Sequence, residues 1–256
     1  MISQGLALEL PYNGSPLITL AVDTTTPGGS TAVLREERVI GSVSTWTEET
    51  YSSRMFRQVE FLLEELGLGL DQVDLFAVAS GPGSFTGLRV GLAAIKAWAE
   101  VYSKPVAGVS ALEAIADGSR SASPLLVPVF DARRGEVYFG VYRREGDVAA
   151  SKLVLQGEHS VMTPVDFVTE MRVLAGKETL MIVTPTPEAL SGAMGAPDGT
   201  VEGAGGIRVE VVANILAPAV GLLAVRRARA GVVGDSLTLE ANYVRRTDAE
   251  LKWKAL

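Results

Sequence analysis

Cysteine is absent from this sequence of 256 residues, and histidine occurs once, as His159. Without cysteine the chain can form no disulfide, no thiolate nucleophile and no cysteine-based zinc site, which fits a reducing compartment. A single histidine excludes a metal site with two histidine ligands, and a Ser-His-Asp hydrolase would have to use His159. No metal-ligand pattern surrounds His159, so we expect a solvated loop residue there.

Motifs that mark common enzyme classes are also missing. The sequence has no Gly-x-x-x-x-Gly-Lys-Ser/Thr loop, no Gly-x-Gly-x-x-Gly after a strand and no Gly-x-Ser-x-Gly elbow. The sequence therefore lacks the main motif that would identify it as a phosphate-loop NTPase, a dinucleotide enzyme or an α/β-hydrolase. The formal net charge of −7 disfavours non-specific phosphate binding by the overall field.

Long hydrophobic runs are scarce as well. The longest, 211–225, contains Asn214 and Pro218 and is too short to cross a bilayer comfortably. Residues 1–16 lack the basic start and apolar run of a secretory signal and predict a loose N-terminal extension. We therefore expect a soluble cytoplasmic protein that does not contact a membrane.

The first half of the chain contains a regular succession of apolar runs. The predicted strands occupy residues 17–22, 31–34, 39–44, 73–79 and 105–109. Apolar residues at helical spacing predict one helix that ends near Gly67 and another that ends near Tyr102. Three strands, a helix, a strand, a helix and a strand is the order expected for the ribonuclease-H-like unit of actin-like and sugar-kinase-like proteins.

The second half repeats this opening less clearly. A strand at 125–130 ends at Asp131, just as the first strand ends at Asp23, and an alternating hairpin pattern follows. This pattern predicts a duplicated lobe. The remaining predicted elements are strands in 136–143, 148–155 and 179–184, a helix at 164–174, a glycine-rich loop at 189–206 and a helix at 211–230 bent near Pro218.

These patterns predict an α/β fold of the actin-like, two-lobed type, with mixed sheets flanked by helices. The first lobe is expected at 17–110 and the second at 111–256. Whether the C-terminal segment packs back on the first lobe is left open.

A glycine loop at 81–87 connects the fourth predicted strand to the second helix. Unpaired backbone N–H groups and the positive end of the helix dipole would make this helix start an anion or nucleotide site. Tight turning and close packing explain the glycines equally well, and Asp23 can simply end a strand and bind turn amides. The candidate ligand-binding residues are Asp23, Gly81, Gly83, Ser84, Thr86 and Gly87.

Arginine pairs provide a second kind of candidate surface. They could converge into a basic surface for RNA, although arginines at the ends of strands and helices are also commonly solvated. The pairs lie at 133–134, 143–144, 226–227 and 245–246.

Four motifs in order resemble the TsaB family, also called YeaZ, which takes part in making the threonylcarbamoyladenosine of transfer RNA. They are Leu17-Ile-Thr-Leu-Ala-Val-Asp-Thr-Thr-Thr, Gly81-Pro-Gly-Ser-Phe-Thr-Gly-Leu-Arg-Val-Gly, Pro105-Val-Ala-Gly-Val-Ser-Ala-Leu-Glu-Ala and Asp131-Ala-Arg-Arg-Gly-Glu-Val-Tyr. The resemblance covers 17–145 and returns in Tyr243-Val-Arg-Arg. It is specific because the motifs keep the family's spacing, although the sequence has Tyr51 where many members have histidine.

The resemblance implies a scaffold subunit without catalysis of its own or a cofactor. Its implied partner in a heterodimer is the catalytic relative TsaD, and the ATPase TsaE is a further implied partner within the complex. The resemblance also implies that the chain forms a homodimer when it is alone and that it contacts transfer RNA only indirectly. TsaD carries a His-x-x-x-His metal pair where this sequence has Ala111 and Ile115, with Glu113 between them. Neither alanine nor isoleucine can bind a metal ion.

The resemblance also implies that the two helices of the first lobe contact TsaD. Helical spacing alone does not separate a stripe facing the core from one facing a partner. The candidate interface residues are Met55, Val59, Leu62, Leu88, Leu92 and Ile95. An independent actin-like ATPase or small-molecule kinase that uses Asp23 and the loop 81–87 is the alternative function, and a peptidase is a third, which the lack of cysteine and of a histidine pair disfavours.

Overall fold

The computed structural model describes residues 16–46, 51–146, 152–176, 178–194 and 207–245, and only the backbone of 51–53. Apart from Pro16, the predicted N-terminal extension 1–16 lies outside the described residues. The chain divides into two compact units. The first contains the residues up to Ala114 together with Asn214–Asn242, and the second contains Ile115–Ala213 and the residues from Tyr243.

The first unit is built on a five-stranded mixed sheet. Its strands are β1 Ile18–Asp23, β2 Ser30–Arg35, β3 Arg38–Ser44, β4 Leu75–Gly81 and β5 Val106–Ser110. Their order is β3-β2-β1-β4-β5, with β1 to β3 antiparallel and with β4 and β5 parallel to β1. Every residue of β1 is buried, as expected for a central strand covered on both faces. The predicted ribonuclease-H-like order is confirmed.

The second unit contains a seven-stranded sheet. Its strands are β6 Leu125–Arg133, β7 Glu136–Phe139, β8 Tyr142–Glu145, β9 Lys152–Leu155, β10 Ser160–Met162, β11 Leu180–Thr184 and β12 Ile207–Val211. The main order is β10-β7-β6-β11-β12, while β8 pairs with β6 and β9. Order and strand directions repeat those of the first sheet, so the predicted duplication is confirmed in topology.

Helices cover the sheets. They are α1 Tyr51–Leu66, α2 Phe85–Tyr102, α3 Ala111–Asp117, α4 Pro164–Ala175, α5 Ser191–Met194 and α6 Ala217–Arg229, with short 3₁₀ helices at Leu70–Gln72 and Pro187–Leu190. In the first unit α1 and α2 pack on the sheet with an apolar stripe each, and α6 packs on β1, β2, β4 and β5. In the second unit α4 packs on β7 and β12, where the rings of Phe139 and Phe167 are 5.1 Å apart.

Two predicted elements differ from the structure. The predicted bent helix 211–230 is instead the end of β12 followed by α6. Pro218 lies in the first turn of α6, where its missing N–H costs no helical hydrogen bond, so it starts a helix and does not bend one. The alternating run 136–143 is interrupted at Gly140 and gives the separate strands β7 and β8.

Other predictions fall partly on residues that the structure does not describe. Of the predicted strand 148–155, the described part is β9, and of the predicted loop 189–206, the described part is the end of a 3₁₀ helix and α5. The sequence analysis does not predict α3, because its seven residues are too few for a clear helical period.

The boundary between the compact units differs from the boundary that the sequence analysis placed after residue 110. The segment Asn214–Asn242 belongs to the first unit. Val220 and Ala224 of α6 are buried, and Leu239 joins the hydrophobic core beside α2. Hydrophobic burial of α6 therefore returns the chain to its first unit.

Candidate functional site

A polar turn at residues 23–27, here called the threonine turn, follows β1. Asp23 Oδ1 accepts hydrogen bonds from the Thr25 backbone N–H at 2.8 Å and from Thr25 Oγ1 at 2.5 Å. Asp23 Oδ2 accepts one from Thr26 Oγ1 at 3.0 Å. Asp23 is only 1% exposed. Aspartate followed by short hydroxyl side chains favours such a turn, because these groups bind one another locally.

Electrostatics in this turn are set by burial. Loss of hydration raises the pKa of the Asp23 carboxyl above its usual 3.8, while the bonds from Thr25 and Thr26 and the charge of Arg54 oppose the rise. Arg54, in the first turn of α1, is itself buried. It donates to the carbonyl oxygens of Pro27 at 3.2 Å and Thr45 at 3.0 Å. The buried carboxylate thus has a buried cation near it and its lone pairs in local hydrogen bonds.

The loop between β4 and α2 lies directly on the threonine turn. The Ser84 backbone N–H donates to the carbonyl oxygen of Thr25 at 2.9 Å. A Cβ atom added to Gly83 would lie 2.5 Å from the Thr25 Cβ, so only glycine fits there. In an anion site, the phosphate lies against the backbone of the glycine loop. Here Thr25 fills that space. This geometry supports the packing interpretation of the loop.

At the start of α2, a backbone N–H group is already bonded to a side chain of the same segment. Ser84 Oγ accepts from the Gly87 N–H at 3.2 Å and caps the helix. Thr86 is exposed, and a Cβ on Gly81 would lie 2.6 Å from the carbonyl oxygen of Asn242. The structure brings Asp23, Gly83 and Ser84 together around Thr25, with Gly81 against the C-terminal segment and Thr86 toward solvent.

The six residues predicted to contact a partner are all buried inside the first unit. Each is at most 7% exposed: Met55, Val59, Leu62, Leu88, Leu92 and Ile95. All but Leu88 belong to one hydrophobic core with residues of the sheet, which is why they repeat at the helical period. This placement corrects the prediction, since residues so buried present no surface to another chain.

The outward sides of the same two helices carry exposed side chains. Phe56 and Phe61 of α1 are 47% and 54% exposed, and Ala93 and Ala97 lie exposed one turn apart on α2. The Phe56 ring contacts the ring of Trp98 edge to face, with 5.7 Å between centroids, and so joins the two helices. We call the exposed residues Phe56, Ala93 and Ala97 the α1/α2 face.

The positions that the resemblance aligns with the histidine pair of TsaD lie in α3. Ala111 and Ile115 are buried. Between them, Glu113 accepts a hydrogen bond from Arg227 Nη2 at 2.5 Å, and Arg227 Nη1 donates to the carbonyl of Gly108. The described residues contain no cluster of three or more His, Asp or Glu side chains that could hold a metal ion. Among the described helices, none is long and apolar enough to cross a membrane.

At least one arginine of each pair forms an ion pair with an acidic side chain; these arginines are Arg133, Arg143, Arg226, Arg227 and Arg245. Arg143 binds both carboxylate oxygens of Glu178, at 2.9 and 2.8 Å, and this contact lowers the pKa of the Glu178 carboxyl. Arg245 binds Glu136 and donates to the carbonyl of Ala132 at 2.9 Å. The partner of Arg245 in its pair, Arg246, lies outside the described residues. These ion pairs neutralise much of the basic charge that an RNA surface would need.

His159 corrects another expectation. It is half-buried, and its Nε2 lies 2.7 Å from the Tyr142 hydroxyl oxygen. Burial lowers the pKa of the His159 imidazole. A Cβ on Gly140 would lie 2.9 Å from the His159 ring, so this glycine leaves room for the ring. His159 lies in a loop as expected, but the expectation that it is solvated is wrong, because the fold brings Tyr142 and Gly140 against its ring.

Sequence reasoning missed the polar residues that link the threonine turn to the helices. Arg54 and Gln58 are buried and lie one turn apart on α1. Gln58 Nε2 donates to Thr45 Oγ1 at 2.8 Å. A signal existed: two long polar residues stand directly before Met55 and Val59, at the edge of the apolar stripe. Hydrophobic periodicity passes over such residues because it counts apolar positions only.

Comparison with known proteins finds a matching family model and several similar proteins. A family model described as TsaD, tRNA N6-adenosine threonylcarbamoyltransferase, matches residues 33–172. A Bacillus subtilis protein named tRNA threonylcarbamoyladenosine biosynthesis protein TsaB is 38% identical over 124 residues, which are 48% of this chain and 54% of that protein. The TsaB protein of Haemophilus influenzae is 37% identical over 132 residues, 50% of this chain and 55% of that protein.

The chain thus spans about half the length of the curated relatives that it matches. A solved structure described as YeaZ from Pseudomonas aeruginosa superimposes with a TM-score of 0.70 at 22% identity, over 89% of this chain and 99% of that one. This likeness shows that the fold is shared. The TsaD family model covers more than half of the chain, so the chain belongs to that family, and these curated relatives, like the chain itself, are TsaB proteins by sequence similarity.

Proposed function

We propose that this chain is a non-catalytic scaffold subunit in the formation of N6-threonylcarbamoyladenosine at position 37 of transfer RNA. In this proposal the chain acts by binding and activating the catalytic subunit TsaD. Family membership supports the pathway, since the relatives are named for threonylcarbamoyladenosine biosynthesis. The geometry of the chain's own residues supports the non-catalytic role.

The observation that carries the non-catalytic role is the chemistry of α3. Ala111 and Ile115 stand at the positions that the resemblance assigns to a histidine pair, and both are packed inside the protein. Glu113, the polar residue between them, is held by Arg227. Aliphatic side chains offer a metal ion no lone pair, so these positions cannot hold the metal that the relative uses.

The α1/α2 face supports the docking role. An exposed phenylalanine is costly to hydrate, and Phe56, which lies beside α2, is 47% exposed, so burial against another protein is favourable there. Ala93 and Ala97 have small side chains, so a helix of a partner can approach α2 closely there. We place the contact with TsaD on this face, and the homodimer of the chain alone on the same face.

The structure gives the alternative, an ATPase or small-molecule kinase, no specific observation in its favour. Such an enzyme would need Asp23 and the loop 81–87 open to a nucleotide. In the structure Asp23 is enclosed by Thr25 and Thr26, and Gly83 is covered by Thr25. Calorimetry with ATP and magnesium separates the two functions, since tight binding by the isolated chain would favour the enzyme.

The deciding experiment combines the chain with TsaD from the same cell. We expect a stable heterodimer in size-exclusion chromatography and a transferase activity of TsaD that depends on the added chain. A TsaD that elutes separately and works fully alone would overturn the proposal. Adding TsaE to the same mixture tests whether it joins the complex.

A further inference from the structure

The threonine turn contacts α2 through a side chain whose role the sequence does not reveal. Thr24 Oγ1 donates a hydrogen bond to the carbonyl oxygen of Gly87, in the first turn of α2, at 2.7 Å. A Cβ on Gly91, one turn further along, would lie 2.5 Å from the same Oγ1. Thr24 is buried, so its hydroxyl lies against Gly87 and Gly91 of α2 in a space that is closed to water. This contact limits how far α2 can shift along the sheet.

The other end of the threonine turn contacts α1. Arg54 donates from Nη2 to Pro27 and from Nη1 to Thr45, so one guanidinium spans the turn and the end of β3. The donors of a guanidinium form a rigid planar fork, and two such bonds therefore orient the side chain as well as attract it. These bonds fix the first turn of α1 over β2 and β3.

Asp23 holds the threonine turn in a single conformation. Its carboxylate binds Thr25 and Thr26, the two residues between the α2 contact at Thr24 and the α1 contact at Pro27. Since Asp23, Thr24, Thr25 and Thr26 are all buried, the alternative conformations of the turn would leave polar atoms without partners. The contacts to the two helices are therefore coupled.

From this chain of contacts we infer that the threonine turn is a positioning element that sets α1 relative to α2, with Thr24 as its positioning residue for docking. This inference rests on the proposed docking of the α1/α2 face to TsaD. Apolar packing tolerates small shifts between helices, whereas hydrogen bonds lose strength steeply with distance and angle. A binding surface made from two helices needs such a directional support.

The test compares two substitutions of Thr24 with a control on the neighbouring strand β2. Thr24→Val keeps the shape and removes the hydroxyl, and Thr24→Ser restores the hydroxyl. Ser30→Ala is the control, because Ser30 pairs with Asp23 across the sheet but its Oγ accepts its buried hydrogen bond from the Ala217 N–H at 3.0 Å, at the start of α6 and not in α2. All three are compared with the wild type for thermal stability and for affinity to TsaD by calorimetry.

We expect Thr24→Val to weaken TsaD binding about tenfold, Thr24→Ser to bind like the wild type, and Ser30→Ala to lose stability without losing affinity. In the free protein, the NMR cross-peaks between the Phe56 and Trp98 rings report the position of α1 against α2. These cross-peaks should change in Thr24→Val and stay unchanged in Ser30→Ala. Where Thr24→Val fails to fold, Arg54→Lys weakens the α1 contact and is measured in the same way.

Unchanged ring cross-peaks and unchanged affinity in Thr24→Val would overturn the inference and leave the threonine turn with a structural role only. A wild-type chain that does not bind TsaD would overturn the proposed function. In that case the cross-peaks in the free protein still decide whether the threonine turn aligns the helices. The two failures are therefore distinguishable.

Discussion

The two units share one strand order but differ at the aspartate near the end of the first strand of each. In the first unit, Asp23 ends β1 and is buried beneath the hydroxyls of Thr25 and Thr26. In the second unit, Asp131 lies inside β6, two residues before its end, so the predicted strand end at Asp131 is wrong. Its side chain is 34% exposed and accepts a hydrogen bond from the Arg133 N–H at 2.7 Å. The same topology thus carries a closed polar turn after β1 and an open turn at the end of β6.

In both units the end of the first strand is tied to the loop after the strand that runs parallel to it, β4 in the first unit and β11 in the second. The Ser84 N–H donates to Thr25 in the first unit, and the Asp131 N–H donates to Thr186 Oγ1 at 3.0 Å in the second. Beyond that loop the first unit forms the 18-residue helix α2, whereas the described part of the second forms a 3₁₀ helix and the four-residue α5. Both units therefore have the contact between strand end and loop, while among the described residues the long helix after the loop occurs in the first unit.

The largest expected effect is a charge placed on the buried stripe of α1. Val59→Asp should lower the free energy of unfolding by about 4 kcal/mol, because it buries a carboxylate without a partner. Val168→Asp on α4 should have a similar effect, since that position is equally buried in the second unit. Urea denaturation followed by circular dichroism measures both.

Phe61→Asp is the control for this comparison, because Phe61 lies on the exposed side of the same helix. It should fold with nearly wild-type stability. The opposite outcome is a Val59→Asp variant that stays folded and stable and loses only partner binding. That outcome would show that the apolar stripe of α1 faces the partner, contrary to its placement in the structure.

The next effect tests the close contact between loop and turn in the first unit. Gly83→Ala should cost about 3 kcal/mol, since the new Cβ would overlap Thr25 and neither backbone can move away freely. Gly192→Ala in α5, after the corresponding loop of the second unit, meets open space and should raise stability by up to about 1 kcal/mol. Differential scanning calorimetry checks both, and equal effects would show that Gly83 is not held by Thr25.

A smaller effect is expected from blocking the α1/α2 face. Ala93→Arg adds a long charged side chain at an exposed position of α2 and should weaken TsaD binding by about 2 kcal/mol, without unfolding the chain. Val173→Arg on the exposed side of α4 in the second unit is the matched control and should leave binding unchanged. If calorimetry finds the reverse order, the docking surface belongs to the second unit.

The smallest effect concerns the buried carboxylate. Burial raises the folded-state pKa of Asp23, so the folded chain holds this proton more tightly than the unfolded chain does. Stability from this group is full below the ordinary pKa of 3.8 and is lost as the pH rises through the raised folded-state value. Asp23→Asn removes this dependence but weakens one hydrogen bond, at a cost of about 1 kcal/mol.

The stability advantage of the wild type over Asp23→Asn should therefore shrink as the pH rises above 3.8. Urea titrations at several pH values measure it, and Asp131→Asn gives the effect of the same exchange at the open turn. An advantage that grows with pH would contradict the pKa direction assigned to Asp23.

Much of the fold was predictable because its signals are local. Buried strands such as β1 and β4 appear as continuous apolar runs, and α1 and α2 show apolar residues at the helical period. The start of the loop 81–87 was predictable too, since glycine and proline mark turns, but α2 begins at Phe85, so Thr86 and Gly87 belong to the helix. The short helix α3 and the separation of β7 from β8 were not, because few residues carry their signal.

The candidate site was predictable in position but not in role. Asp23 and Gly83 were identified from the strand end and the glycine loop, yet the occupant of the loop is Thr25 of the same chain. Met55 and Ile95 were assigned to a partner although they face the core. Periodicity reports that a helix has an apolar side and is silent on what covers that side.

The sequence by itself determined the α/β topology, the duplicated lobe and the family, because these depend on hydrophobic patterns and motifs along the chain. Only the tertiary structure decided that α6 returns to the first unit, that Thr25 fills the glycine loop and that Arg54 reaches Pro27. These facts depend on contacts between residues far apart in the chain. Such contacts are selected by packing and by the need of buried polar atoms for partners, which no local pattern encodes.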